Sequence, residues 1–408
     1  MNSLGRPCRG RARCWNIFLG MFSSRFHWDF RPNRIAQAVA ERRRCGARIL
    51  DLTESNPTHA GFAYPRETLA ALGDERSLLY EPSPAGLTEA RQAVADYHAA
   101  RGCSVARERI LLTASTSEAY AYLFKLLANA GDNALVPRPS YPLFEFLAGM
   151  ESVEARHYAL AFHGGWGIDF DSLETAMNER TRAIVVVNPN NPTGSYLKTA
   201  ELAQLSRLCA RRGVALISDE VFSDYSFAPD ADRVASLAGH EGCLAFSMSG
   251  LSKIAGLPQM KLGWIVVNGP PELRAQAMER LEWVADTYLS VSTPVQHAAR
   301  RLLQAGEAVQ AQIRERTAGN LAVARAALAG SAANLLPAEG GWYAIARVPG
   351  VRTEEEWVLG LLECNGVLVQ PGFFFDFASE AYLVLSLLTP REVFAEGIAI
   401  LRTAAENC

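Results

Sequence analysis

The sequence predicts an α/β protein: a large domain with a mostly parallel sheet flanked by helices, plus a small α+β domain. Two observations carry this. Between residues 84 and 220, short apolar strand-like runs alternate with segments of helical period, the signature of successive βαβ units. After residue 340 the rhythm changes to three short strand-like runs, GGWYAIARV (340–348), GVLVQPG (366–372) and YLVLSLL (382–388).

The elements follow in chain order. PAGLTEARQAVADYHAARG (84–102) repeats apolar positions at Leu87, Ala90, Val94 and Tyr97, one face of a helix, and Gly102 stops it. RILLT (109–113) reads as a strand and SEAYAYLFKLLANAG (117–131) as a helix. NALVP (133–137), ARHYAL (155–160) and RAIVVVN (182–188) read as strands. KTAELAQLSRLCARRG (198–213) is a helix with Leu202, Leu205, Leu208 and Cys209 on one side, and VALIS (214–218) is the next strand. KLGWIVVN (261–268) gives a further strand, and a mostly helical stretch runs over about 271–329. We divide the chain into an N-terminal extension (1–25), a large domain (76–299) and a small domain assembled from 26–75 and 300–408. The segment near 26–75 is expected to pack with the C-terminal part, because the sheet-forming block begins only later.

Composition sets the function classes. The chain has 408 residues, 49% apolar and 20% charged, with a formal net charge of −3. That is enough material for two cores, and nothing in the charge balance suggests nucleic acid or an anionic membrane as a partner. No apolar run reaches the ~18–20 residues that span a bilayer. The eight cysteines are scattered, without a CxxC and without zinc spacing, which reads as free thiols in a reducing cytoplasm, with no metal site. The first twenty residues carry Arg6, Arg9, Arg11 and Arg13 and no acid. Of a weak signal peptide, a transit peptide and an over-extended reading frame that truly starts at Met21, the third is favoured, and residues 1–20 are expected to be disordered.

Three segments read as one coenzyme pocket: AIVVVNPNNPTG (183–194), ALISDEVF (215–222) and SGLSK (249–253). Each ends an apolar run and turns to polar residues, and in parallel sheets ligands bind beyond the carboxyl ends of the strands. Lys253 at the third turn suits a Schiff base with an aldehyde coenzyme. Asp219 at the second suits a pyridine nitrogen held protonated, and Asn191 at the first suits a hydrogen bond to a phenolic oxygen. That set is what pyridoxal 5'-phosphate requires to act as an electron sink. An exposed lysine titrates near ~10.4 and is a poor nucleophile at neutral pH, so the pocket must lower it.

With YEPSPAG (80–86) upstream and SGLSKIAGLPQMKLGW downstream, residues 28–403 resemble the class I/II aminotransferases of the pyridoxal-phosphate fold type I superfamily. The resemblance implies Lys253 as Schiff-base lysine and proton shuttle, Asp219 as the partner of the ring nitrogen, and Asn191 as the partner of the phenolic oxygen. It implies a phosphate site from Ser115 and Thr116 at a helix N-terminus, where the dipole favours an anion, with Ser252 and Lys261. Tyr141 matches the aromatic that stacks on the ring. Tyr80 matches a tyrosine that reaches the phosphate of the neighbouring subunit, which implies a homodimer with shared sites.

The chain departs from the family at four positions. Phe222 replaces the tyrosine three residues after the aspartate, Lys261 an arginine, and Gly250 a serine for which Ser249 or Ser247 compensates. Val384 replaces the arginine that grips the substrate carboxylate. Arg25, Arg31, Arg66, Arg138 and Arg347 are candidate substitutes, and Asn56 in ESNPT (54–58) is a candidate substrate contact. Trp342, Tyr343 and Phe373–Phe375 suit an apolar or aromatic side chain. The expected function is transfer of an amino group between an amino acid and a 2-oxo acid. The alternative is a lyase or decarboxylase on the same fold, which the loss of that arginine brings forward.

Overall fold

The computed structural model describes residues 23, 25, 26 and 31–408. The extension expected at 1–25 therefore lies, apart from Ser23 and Arg25, outside the described residues, as does the question of Met21.

An eight-stranded sheet forms the centre. Its spatial order is Ile110–Thr113, Gly263–Asn268, Ala245–Gly250, Ala215–Asp219, Thr181–Val187, Asn133–Arg138, Glu154–Phe162 and Trp166–Ile168. Six strands run one way. Gly263–Asn268 and Trp166–Ile168 run against their neighbours. The near-continuous apolar runs follow from burial on both faces. Along 183–187, Ala183, Val185 and Val187 enter one core cluster and Ile184 and Val186 the other.

Helices cover both faces. Ser115 caps Thr116–Leu127, its hydroxyl accepting the Glu118 amide, and Ala119, Tyr120, Leu123 and Phe124 are buried. Thr199–Arg212 ends at Gly213 in the left-handed region at φ 64°, where glycine carries no Cβ penalty. The helical stretch read over 271–329 is two helices, Pro271–Tyr288 and Thr293–Leu328, broken where Leu289 turns left-handed and Pro294 starts the next helix.

The second sheet is antiparallel, in the order Asn334–Leu335, Tyr343–Arg347, Tyr382–Ser386, Gln370–Pro371. The single run read at 366–372 splits. Val367–Leu368 pairs parallel with Leu50–Asp51, and only Gln370–Pro371 joins the antiparallel sheet. Ile35, Leu50 and Leu52 thereby share a core with Trp357, Leu362, Leu385, Phe394 and Leu401. The helix over this core, Glu354–Asn365, opens with a capping box between Thr353 and Glu356.

The helix Thr293–Leu328 serves both cores. Val295, Ala298 and Leu302 pack beside the large sheet, whereas Leu321, Ala324 and Leu328 enter the small-sheet core. The division drawn between residues 299 and 300 falls inside this helix. Ala71 also packs with the large-sheet cluster of Val94 and Trp264.

Candidate active site

Strand register brings the three polar turns together. Val187, Asp219 and Met248 lie side by side at the carboxyl ends of adjacent parallel strands. The chain turns beyond each, placing Asn191 four residues on and Lys253 in the helical turn Leu251–Ile254. A fourth turn joins them, because Gly250 pairs with Gly263 and Gly263 with Thr113. The N-terminus of Thr116–Leu127 thus emerges beside the lysine turn.

Gly250 is required by this close approach. A Cβ there would sit 2.8 Å from the Leu262 carbonyl oxygen and 2.9 Å from Gly263 Cα. A serine does not fit, and the expected compensation by Ser249 or Ser247 does not occur. The Ser249 hydroxyl donates to Glu220 O at 3.4 Å and Ser247 Oγ accepts from Asn268 Nδ2 at 3.3 Å, so both stay inside the sheet layer.

Asp219 is 6% exposed. Tyr120 Oη donates to Asp219 Oδ2 at 3.2 Å and the Val221 amide to Oδ1 at 3.2 Å. Burial raises its carboxyl to about 6, against those donors and the charge of Lys253. Burial in turn lowers the Lys253 amine to about 8, which Asp219 opposes. Lys253 Nζ lies 5.1 Å from the Trp342 ring centre and 6.0 Å from that of Phe222. Desolvation by aromatic walls is therefore what depresses this amine.

Within the NPNNPTG loop, two of the three asparagines are consumed by structure. Asn188 Nδ2 donates to Val234 O, and Asn190 Nδ2 donates to Pro139 O and Thr193 Oγ1. Asn191 is also buried, yet among the described residues its side-chain amide has no hydrogen-bond partner. Ser140 Oγ donates to Asn190 Oδ1 at 2.8 Å, tying this loop to the RPSYP loop. Tyr141 follows there, and burial beside Asp219 pushes its hydroxyl up.

Residues 47–393 match the family described as aminotransferase class I and II. The chain belongs to that family. It is 32% identical over 262 residues to the glutamate-pyruvate aminotransferase AlaA of Escherichia coli K12, covering 63% of this chain and 64% of that protein. The alignment thus spans just under two thirds of that relative's length. The alanine aminotransferase of Mycobacterium tuberculosis is 29% identical over 360 residues, 84% of this chain and 82% of that one. Among solved structures, an alanine aminotransferase from Pyrococcus furiosus superposes with a TM-score of 0.83 at 22% identity, over 92% of this chain and 96% of that one. A Thermus thermophilus aspartate aminotransferase variant gives 0.80 at 23%, over 94% and 99%. The fold is that of the aminotransferases, fold type I.

The remaining residues singled out in the sequence fall into two groups in this aminotransferase-family chain. Ser115, Thr116 and Ser252 are partly buried at the two helix starts. Lys261 is exposed at the end of the short turn Pro258–Met260. Tyr80 is not buried in this pocket; it is 73% exposed beside Leu78 and Leu79. Asn56 spends its amide oxygen on the Thr58 amide and hydroxyl, and its loop reaches Tyr343 through Ser55. Trp342 and Tyr343 adjoin Phe222, and Phe375 adjoins Tyr343, whereas Phe373 is exposed.

Val384 lies in an apolar cluster with Leu336, Ile345, Phe375 and Phe377. Arg138 Nε donates to Asp376 O at 2.7 Å, next to the loop that carries Phe375. Arg25 Nε instead donates to Ser152 Oγ at 3.4 Å. Tyr225, three residues after Phe222, points elsewhere: its hydroxyl donates to Lys253 O at 2.5 Å. Tyr120 was missed by sequence reasoning. The signal was its place one helical turn after Thr116, on the face that meets the strand ends.

Proposed function

We propose that the protein is a pyridoxal-phosphate-dependent aminotransferase that moves an amino group between an amino acid and a 2-oxo acid. The observation that carries this is the pairing of a buried carboxylate, Asp219, with a desolvated amine, Lys253, at the ends of neighbouring strands. The side chains fit the coenzyme: among the described residues Asp219 has no cation in hydrogen-bonding contact, and the Asn191 side chain, 7% exposed, makes no hydrogen bond there, so its Nδ2 remains to donate.

When bound, pyridoxal phosphate supplies an aldehyde that takes up the amino group and a protonated ring that accepts electrons from the substrate α-carbon. Asp219 would hold the proton on the ring nitrogen. Asn191 would donate through Nδ2 to the phenolic oxygen, unaided by Phe222, which has no donor. Tyr141 would stand against the ring. Ser115, Thr116 and Ser252 hold the phosphate with helix-start amides and hydroxyls, and Lys261 adds a positive charge. Lys253, with its amine near 8, is partly unprotonated at neutral pH and carries the α-proton away and back.

The same reading takes the protein as a cytoplasmic homodimer in which Tyr80 completes the partner's phosphate site. Its support is the exposed run Leu78, Leu79 and Tyr80. Among the described residues, no helix is long and apolar enough to cross a membrane. Arg138 is fixed beside Phe375 and Tyr141, and it is the favoured carboxylate contact. Asn56 is the second candidate. Glutamate, alanine and pyruvate, named in the relatives' activities, are the first substrates to try.

The test is borohydride reduction of the loaded protein. Pyridoxal phosphate becomes fixed to the peptide that carries Lys253, and Lys253→Ala binds the coenzyme but loses both the fixation and the visible absorbance. An amino donor given alone converts the wild-type coenzyme stoichiometrically to its amine form. Fixation at another lysine overturns the assignment.

A further inference from the structure

The lysine turn is only four residues long, Leu251–Ile254. So short a helix leaves few backbone donors at its end: Lys253 O accepts the Gly256 amide at 3.2 Å. Three side chains from three distant segments add bonds to Lys253 O, to Ile254 O and, two residues beyond the helix, to Gly256 O. Tyr225 Oη donates to Lys253 O at 2.5 Å, Gln310 Nε2 to Ile254 O at 2.6 Å, and Tyr64 Oη to Gly256 O at 2.8 Å. Tyr225 and Gln310 are buried.

The donors are themselves braced. Gln310 Nε2 also donates to Asp224 Oδ2 at 2.8 Å. Arg101 grips both oxygens of Asp224, at 2.7 and 2.9 Å, and Tyr97 Oη donates to Oδ2 at 3.0 Å. Arg314 Nε donates to Asp224 O at 2.9 Å. Gln310 and Arg314 stand on the helix Thr293–Leu328, which continues into the small-sheet core. That helix presses on the turn directly: a Cβ on Gly306 would lie 2.3 Å from Ala255 Cβ and 2.9 Å from its Cα. A helix-interior glycine costs ~1 kcal/mol against alanine, and this contact is what requires it.

We infer that Tyr225, Gln310 and Tyr64 are positioning residues for the reaction at Lys253, fixing the turn that carries the amine and tying it to the helix shared by both cores. This rests on the reading of Lys253 as the reacting amine. The side chain is aimed between Asp219, Trp342 and Phe222 only while its own carbonyl and the next are held. A turn released at those carbonyls lets the amine shift toward water. Its depressed proton affinity then moves back toward the ordinary lysine value, and the reacting geometry is lost.

The test compares Tyr225→Phe, Gln310→Met and Tyr64→Phe with wild type in the full chain. One readout is competitive acetylation of Lys253 in the coenzyme-free protein against pH, followed by mass spectrometry of its peptide. The other is steady-state kinetics of the loaded enzyme. The expected result is a Lys253 labelling midpoint raised by about half a unit or more in Tyr225→Phe and Gln310→Met. kcat falls about tenfold, with KM within about twofold. Tyr64→Phe shows the same pattern more weakly. A melting temperature that drops while labelling midpoint and kcat stay at wild-type values overturns the inference. Should Tyr225→Phe fail to fold, Gln310→Met and Tyr64→Phe decide it by the same readouts. Lys253→Ala separates the two failures: if borohydride still fixes the coenzyme in that variant, the reading of Lys253 itself has failed.

Discussion

Asp219 receives two neutral donors at its carboxylate, Tyr120 Oη and the Val221 amide. Burial wins, so its carboxyl stands at about 6 instead of 3.8. A carboxyl raised on folding contributes stability below its unfolded value that is lost as pH rises through the folded value. In coenzyme-free protein, Asp219→Asn is therefore expected to gain stability relative to wild type between about pH 4 and 6, by on the order of 3 kcal/mol, and to stay level above. Denaturant titrations of both proteins across that window check this. Lys253 has the opposite sign. Its amine is lowered from 10.5 to about 8, so the wild type gains stability as pH climbs from 8 to 10.5. Lys253→Met should be the more stable coenzyme-free protein at neutral pH, with the gap closing over that range. In the loaded enzyme, Asp219→Asn should lower kcat about a hundredfold or more, because the ring nitrogen loses its buried counter-charge.

Strand ends decide the site at the scale of elements. Gly250, Gly263 and Thr113 pair across three strands, and the lysine turn and the helix Thr116–Leu127 both start from that row. Gly250→Ala is expected to cost about 1–3 kcal/mol, read from the denaturant midpoint, because the new methyl meets backbone that cannot yield. It should also weaken coenzyme uptake, measured by equilibrium dialysis. The strands around 110–113, 181–187 and 215–219 were legible because burial on both faces writes continuous apolar runs. The split of 366–372 between two sheets was not legible, because Val367–Leu368 and Gln370–Pro371 find their partners some 315 residues upstream and a dozen downstream. The three polar turns were legible as motifs. Tyr225, Gln310 and Tyr64 were not, since a donor that meets a main-chain carbonyl needs no particular neighbours in sequence.

At the scale of the whole molecule, one helix among the described residues, Thr293–Leu328, runs from a cluster beside the large sheet into the small-sheet core. On the surface, Leu78 is 86%, Leu79 65% and Tyr80 73% exposed, a run of large side chains that no described residue covers. If the proposed homodimer forms through this run, Leu79→Asp converts the sedimenting species from two chains to one and lowers activity more than about tenfold even with saturating coenzyme, as withdrawal of the partner's Tyr80 requires. A single-chain wild type would remove the shared-site reading.

By itself, the sequence determined the alternation of strands and helices, the three polar turns and the family they belong to, because apolar periodicity and strand-end chemistry are local properties. Only the tertiary structure decided which side chains surround Lys253, that Gly250 admits no serine, and that one helix joins the two cores. Those depend on register and close approach between segments hundreds of residues apart, and distance along the chain carries no record of them.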